Sequence, residues 1–321
     1  MVLAARTLKT GPATSLTKDR IDTFGAVSLI SFSALLGLNQ VMIKIVNEGM
    51  SPVFQAGLRS LCALPLVLLF CLVFKKRLSI SDGSLLPGLF CGLFFAGEFI
   101  LLFSALDFTT VSRSAVFFYT MPFWVAIAAH FLIPGEKLTG MRVVGLSLAF
   151  AGVTIALSQQ DFSAGDGAWI GDIMCLIGAM MWAGIALLAR TTKLKNATAE
   201  MQLIYQLFVS APIMLAVAPF FGPFIRELEI QHLAIFSFQV IVVVSFGFAF
   251  WFWLLSIYPA PSVASFGFLA PVFGVLFGWL ILGEQVGLSL LIALTLVGTG
   301  IILVNRRPRA PDSSPGNVNK A

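Results

Sequence analysis

The chain has 321 residues, of which 58% are hydrophobic and 11% charged, against about 25% charged in a soluble domain. That shortage of polar surface excludes a water-soluble enzyme, a disordered chain and a nucleic-acid binder. The formal net charge of +5 then marks a cytoplasmic membrane face rather than a nucleic-acid surface.

Residues 1–23 are polar and basic (Arg6, Lys9, Lys18, Arg20) and predict a cytoplasmic tail. Ten apolar segments follow. The first five are Phe24–Val46, Pro52–Phe74, Leu85–Leu106, Ser114–Ile133 and Met141–Leu157. The second five are Ala168–Ala189, Met201–Phe221, Leu233–Ile257, Ser262–Leu282 and Val286–Val304. A spanning helix takes about 20 residues, so each segment is of spanning size. The first reads as a retained helix, because no short apolar core with a small-residue cleavage site is present. The longest polar break between segments, Gln159–Gly167, divides the apolar part into two. The domain boundaries are therefore 24–157 and 168–304, with 158–167 as an external linker. Residues 305–321 (NRRPRAPDSSPGNVNKA), rich in Pro, Ser and charge, are expected to form a disordered cytoplasmic tail.

The basic residues orient the bundle. With the N-terminus inside, the inside segments hold Lys75, Lys76, Arg77, Lys137, Arg142, Arg190, Lys193, Lys195, Arg306, Arg307, Arg309 and Lys320, besides the four in the N-terminal tail. The outside loops hold Arg113 and Arg226. Both termini are thus expected inside.

The halves resemble each other. FFYTMPFWVAIAAHFLIPGEKL in the first answers FGFLAPVFGVLFGWLILGEQV in the second, so that Pro122 matches Pro271 and Gly135–Glu136 matches Gly283–Glu284. Upstream, Gly25 matches Gly171, and Lys44 matches Arg190. An odd number of helices per repeat makes the second half insert upside down. The expected fold is an all-α polytopic membrane protein of ten transmembrane helices in two inverted five-helix repeats, with a central site between them.

With these paired segments, LLGLNQVMIK in the first helix, MMWAGIALLAR in the sixth and Arg59 in the second, the chain resembles the EamA family of the drug/metabolite transporter superfamily over about residues 24–304. The first helix departs from the family pattern: Leu36 stands where Trp often precedes Gly–x–Asn, while Trp182 keeps the counterpart. The resemblance implies a carrier of small organic solutes, often an exporter, working without ATP hydrolysis. It also implies a cavity lined by helices 1, 3, 4, 6, 8 and 9.

Motifs for other chemistries are missing. There is no GxxxxGK[S/T], HExxH or GxSxG, and His130 and His232 are the only histidines. Cys62, Cys71, Cys91 and Cys175 all lie in apolar runs, so neither a disulfide framework nor metal-ligand spacing is indicated. No cofactor is expected.

Glu98 is the sharpest feature, a carboxylate deep in an apolar segment, at a depth matching Arg59 on the preceding helix. The two predict an ion pair that either fixes helix 2 against helix 3 or senses substrate or protons. Asn39, Gln40, Tyr119 and Thr120 lie at comparable depth and suit a polar solute or interhelical hydrogen bonds. Trp182, Trp251, Trp253, Phe266 and Phe268 offer an aromatic wall or ordinary packing. Lys44 and Arg190 end their helices and are expected to snorkel. Glu136 and Glu284 are expected to start the helix after them. Gly88–Gly92 and Gly274–Gly278 allow close helix contact, and Pro122 and Pro271 are expected to bend cavity helices.

The substrate-binding set is then Asn39, Gln40, Glu98, Tyr119, Trp182 and Trp251. The function expected is secondary transport of small organic metabolites, amino-acid-like or drug-like, outward across a plasma or bacterial inner membrane. Its partners are the small-molecule substrate, membrane lipid and a coupling proton on Glu98. A non-transporting receptor or sensor is the alternative class, though no soluble signalling domain accompanies the bundle, and an intramembrane enzyme lacks its motifs.

Overall fold

The computed structural model describes residues 21–134, 137–158, 167–258 and 266–305. Both tails, Glu136 and most of the Gln159–Gly167 loop lie outside the described residues. Among those described, the protein is helical, and an isolated bridge between Met50 and Ile225 is its extended pairing.

The helices follow the apolar runs. They are α1 (Thr23–Gly49), α2 (Pro52–Val73), α3 (Leu85–Phe108), α4 (Val111–Phe118), α5 (Met121–Leu132) and α6 (Gly140–Ser158). The second half holds α7 (Ala168–Thr191), α8 (Ala199–Val217), α9 (Ile230–Phe238), α10 (Phe248–Ile257), α11 (Ala270–Leu282) and α12 (Leu288–Asn305). Seven stretches among the described residues are long and apolar enough to cross a membrane, α4–α5 together and α9 to α10 together each making one. Three shorter apolar helices lie at Gly140–Ala156, Ala270–Leu282 and Leu288–Leu303. Phe150, Phe246, Leu72 and Leu288 are at least seven-tenths exposed, which suits contact with lipid rather than water.

Two apolar runs that read as continuous are interrupted. The fourth breaks at Tyr119–Thr120, where Thr120 donates to the Phe117 carbonyl at 2.6 Å. Pro122 sits in the first turn of α5, and Pro271 in that of α11. Neither bends a helix from within; each lies where its missing N–H costs nothing. The interior prolines are instead Pro65 in α2 and Pro212 in α8, at corresponding places in the two halves. The eighth run passes through a π-helical stretch, Gln239–Gly247, between α9 and α10.

Helix pairing repeats when the halves are exchanged. α2 packs on α8, and α6 on α12. α1 packs on α11 as α7 packs on α4–α5, and α3 packs on α7 as α9 and the π stretch pack on α1. The connections obey the same exchange with the ends reversed. At the end where α1 finishes, the α1–α2 turn joins the α8–α9 connection: Ser51 N–H donates to the Phe224 carbonyl at 3.0 Å and Arg226 N–H to that of Gly49 at 3.0 Å. At the opposite end the α7–α8 connection joins the α2–α3 one, through Lys76–Glu200 at 2.9 Å, Thr198 to the Arg77 carbonyl at 3.3 Å and Ser84–Tyr205 at 3.0 Å. There, hydrogen bonds from Ser84 hold the Asp82 carboxyl below its usual range.

Gly25 and Gly171 explain their match. A Cβ on Gly171 would stand 2.7 Å from the Ala105 carbonyl oxygen, and one on Gly25 2.6 Å from the Tyr258 ring. Each glycine admits the end of a neighbouring helix from the other half. The Gly88–Gly92 pair faces α8 through Tyr205 and Val209, and Gly274 faces α1 and α4 through Gln40 and Ala115.

Candidate functional site

Polar groups inside the bundle are the first candidates, since hydrocarbon surroundings penalise any that stay unpaired. Glu98 on α3 is 5% exposed, and its Oε2 has no hydrogen-bond partner. Gln40 on α1 is buried and Asn39 half-buried; their side-chain oxygens also lack partners. Gln40 Oε1 faces Gly274 of α11.

The two charges of the expected pair act electrostatically on each other across α2 and α3 without direct contact. Among the described residues, Arg59 and Glu98 share no hydrogen bond or salt bridge. The Arg59 guanidinium lies over the rings of Phe99 and Phe103, 4.7 Å from each centroid. A guanidinium is planar and weakly hydrated, and stacks well on aromatic faces. These rings belong to a ladder at helical spacing on α3, with Phe95–Phe99 centroids 4.2 Å apart and Phe99–Phe103 5.4 Å.

The aromatic candidates divide. Trp182 stacks on Phe118 with centroids 5.1 Å apart and meets Tyr119 edge-on at 6.0 Å. Gly178, one turn before Trp182, lies against the Glu98 carbonyl and the Phe118 ring. Glu98, Tyr119 and Trp182 therefore gather where α3, the α4–α5 break and α7 meet. Trp251 lies elsewhere. It stacks on Phe32 at 4.9 Å, in a separate apolar cluster with Leu29, Leu254 and Tyr258 toward the Asp22 end. Phe266 packs on that cluster, and Trp253 is 44% exposed, stacked on Phe250 at 5.6 Å. The Phe268 side chain lies outside the described residues.

A buried polar seal at the Glu284 end is the feature that sequence reasoning missed. Glu284 does not start the helix after it. Its Oε1 accepts from Val111 N–H at 2.7 Å, and its Oε2 from Ser112 N–H at 2.9 Å and the Ser112 hydroxyl at 2.7 Å. It therefore caps α4, whose first amides have no partner within their own helix. Lys44, read as snorkelling, donates to the Thr109 carbonyl at 2.6 Å and lies 4.0 Å from Glu284. Arg190 is exposed at its helix end. Arg113 is a buried residue of α4, not of an outside loop, and its guanidinium forms a salt bridge with Asp172 of α7. Thr109 donates to the same carboxylate at 2.8 Å.

Beside this seal Asn47 donates to Asp107 at 2.9 Å, and Arg226 donates to Asp107 at 2.7 Å. One signal for the seal was legible: Asp172 is a carboxylate within the apolar segment Ala168–Ala189. At the Asp22 end the Tyr258 hydroxyl donates to Asp22 at 2.6 Å. Tyr258 and Thr109 both cap the last turn of a helix against a repeat-matched glycine, and both reach an aspartate on the helix beyond.

No group of metal-ligating side chains occurs among the described residues. All four cysteines are free.

Apolar helices, lipid-suited surfaces and enclosed polar groups define an integral membrane protein. The chain belongs to the EamA-like transporter family, whose pattern it matches twice, over residues 23–158 and 169–306. It is 26% identical to the "Uncharacterized transporter YoaV" of Bacillus subtilis (strain 168) over 284 residues, 86% of this chain and 95% of that protein. A "Probable amino-acid metabolite efflux pump" of Escherichia coli (strain K12) is 30% identical over 149 residues, 46% of this chain and 47% of that protein. A crystal structure superposes with a TM-score of 0.60 at 18% identity, covering 88% of this chain and 98% of its own. That likeness concerns the fold alone.

Proposed function

We propose that the protein is a secondary transporter that carries small organic metabolites outward by alternating access. In this reading ten spans form two inverted five-helix repeats, and both termini are cytoplasmic at the inner (plasma) membrane. The observation that carries the reading is the exchange of connections: the α1–α2 turn meets the α8–α9 connection at one end, and their repeat mates meet at the other. An inverted pair of halves has equivalent contacts at both ends, so opening one while closing the other needs no new kind of interface. The name of the Escherichia coli relative, an efflux pump, supports the outward direction.

The transport site draws on Asn39, Gln40, Glu98, Tyr119 and Trp182. The unpartnered side-chain oxygens of Asn39, Gln40 and Glu98 are available to a polar solute, and Phe118, Tyr119 and Trp182 form a wall beside them. Trp251 lines the Asp22 side of the same route. In this reading Glu98 takes the coupling proton. Purified protein in sealed proteoliposomes should release a preloaded metabolite mixture faster than empty vesicles, and an imposed pH gradient should speed the release. Solute retention equal to protein-free vesicles across the whole mixture would overturn the reading in favour of a receptor or an enzyme.

A further inference from the structure

Two connections from opposite halves meet at the end where α2 finishes, and they bring five exposed cations together. Lys75, Lys76 and Arg77 follow α2, and Lys193 and Lys195 follow α7. Thr198 and Asn196 donate to the carbonyls of Arg77 and Asp82, each at 3.3 Å, which fixes the two connections side by side. The Lys193 stem lies against Gly83, where a Cβ would stand 2.8 Å from the Lys193 Cδ. Asp82 and Glu200 are the acidic residues beside these five, so positive charge is in excess.

One of the lysines is held at a backbone cost. Lys76 N–H donates to the Cys71 carbonyl at 2.9 Å and Lys75 N–H to that of Leu72 at 3.2 Å, a Schellman ending of α2. Lys75 takes the left-handed position of this turn, with φ 50°, and is the one non-glycine residue with positive φ among the described residues. Glycine adopts that conformation without the Cβ penalty. The basic bias of a membrane face asks for charge somewhere on this connection. It does not ask for a lysine in the strained position of the turn.

An apolar cleft adjoins the patch. Val67 and Phe70 of α2, Glu200 and Leu203 of α8, and Ser245 and Ala249 of the eighth span line an open space of about 220 Å³. Glu200 joins cleft to patch, because it pairs with Lys76 at 2.9 Å. Leu69 and Phe246, each next in sequence to a lining residue, are 57% and 73% exposed, so the cleft lies among side chains suited to lipid. We propose that this end binds an anionic phospholipid, its phosphate held by Lys75, Lys76 and Lys193 and an acyl chain lying in the cleft. A zwitterionic headgroup brings a second cation into a patch that already has an excess of them, so the site prefers a lipid with net negative charge. The proposal needs only the membrane placement of the bundle, and it stands or falls separately from transport.

The test titrates the detergent-purified full chain with phosphatidylglycerol, with phosphatidylcholine of the same acyl chains, and with glycerol phosphate, which carries the phosphate without chains. Phosphatidylglycerol should raise the melting temperature saturably, at a concentration at least about tenfold below that needed by either comparator. Lys75→Gly separates a structural from a binding role. Without lipid it should melt at or above the parent's temperature, since the turn is relieved. It should nevertheless need about fivefold more phosphatidylglycerol for the same shift. Lys193→Gln, at an exposed position, should weaken the response similarly and carries the test should Lys75→Gly not fold. Ala249→Leu fills the cleft and should also weaken it. Lys137→Gln removes the same charge from the α5–α6 connection and should leave the titration unchanged. Equal shifts with the two lipids, a shift that glycerol phosphate reproduces, or parent-like titrations of the Lys75 and Lys193 variants would overturn the proposal.

Discussion

Ser112 is held by Glu284 twice, through its N–H at 2.9 Å and its hydroxyl at 2.7 Å, both on Oε2. The carboxylate comes from the far end of α11 and closes a helix of the other half. It also meets the positive end of α4, where a negative charge is stabilising. Glu284→Ala leaves two amides and a hydroxyl unmatched in the interior. The variant should lose at least about 1.5–3 kcal/mol of stability, read as a lowered melting temperature in detergent. Glu284→Gln should fall between the two. A Glu284→Ala protein as stable as the parent would show that water replaces the cap.

Arg113 and Asp172 form the other half of the seal. Removing one partner of a buried pair costs about 3–5 kcal/mol, because the remaining charge is stranded. Arg113→Met and Asp172→Leu should each lower folded yield sharply. The double variant should recover much of the loss, since neither charge is then left alone. Strict additivity of the two effects would mean that they are not coupled.

Gly171 and Gly25 make a matched pair of tests with unequal outcomes. A methyl group on Gly171 meets backbone, the Ala105 carbonyl, and cannot be accommodated by a side-chain turn. Overpacking of this kind costs about 1–3 kcal/mol. On Gly25 the obstacle is the far end of the Tyr258 side chain, which can swing away at the expense of its bond to Asp22. Gly171→Ala should therefore melt lower than Gly25→Ala. Gly298, with open space around its Cβ position, is the control: Gly298→Ala should be neutral or gain up to about 1 kcal/mol. Equal melting temperatures for all three would refute the packing argument.

Cytoplasmic termini imply an external connection between α6 and α7. With Cys62, Cys71, Cys91 and Cys175 replaced, a single Ser163→Cys substitution should react with a membrane-impermeant maleimide in intact cells. Reaction only after lysis would reverse the orientation.

Helix positions were legible because a long apolar run has few alternatives. The sixth segment, read as Ala168–Ala189, is observed as Ala168–Thr191. Partners across the halves were less so. Glu284 stands before α12 in sequence, which suits a local cap, yet it serves α4, and nothing within a few residues of it encodes that contact. Arg113 lies near a segment boundary, where charge alone reads as exposure. The π-helical stretch was invisible for another reason: a run such as QVIVVVSF is equally apolar whether its amides reach back four residues or five.

Gln239–Gly247 has a mechanical consequence. Hydrogen bonds that span five residues close a loop one residue longer than those of the regular ladder on either side. If the stretch relaxed to regular winding by one residue, everything after it would swivel by about 100° about the helix axis. Trp251 rides on that downstream part and is stacked on Phe32 of α1. A swivel would uncouple the two rings while α9 stayed seated, so the Phe32–Trp251 stack would report the winding of this stretch.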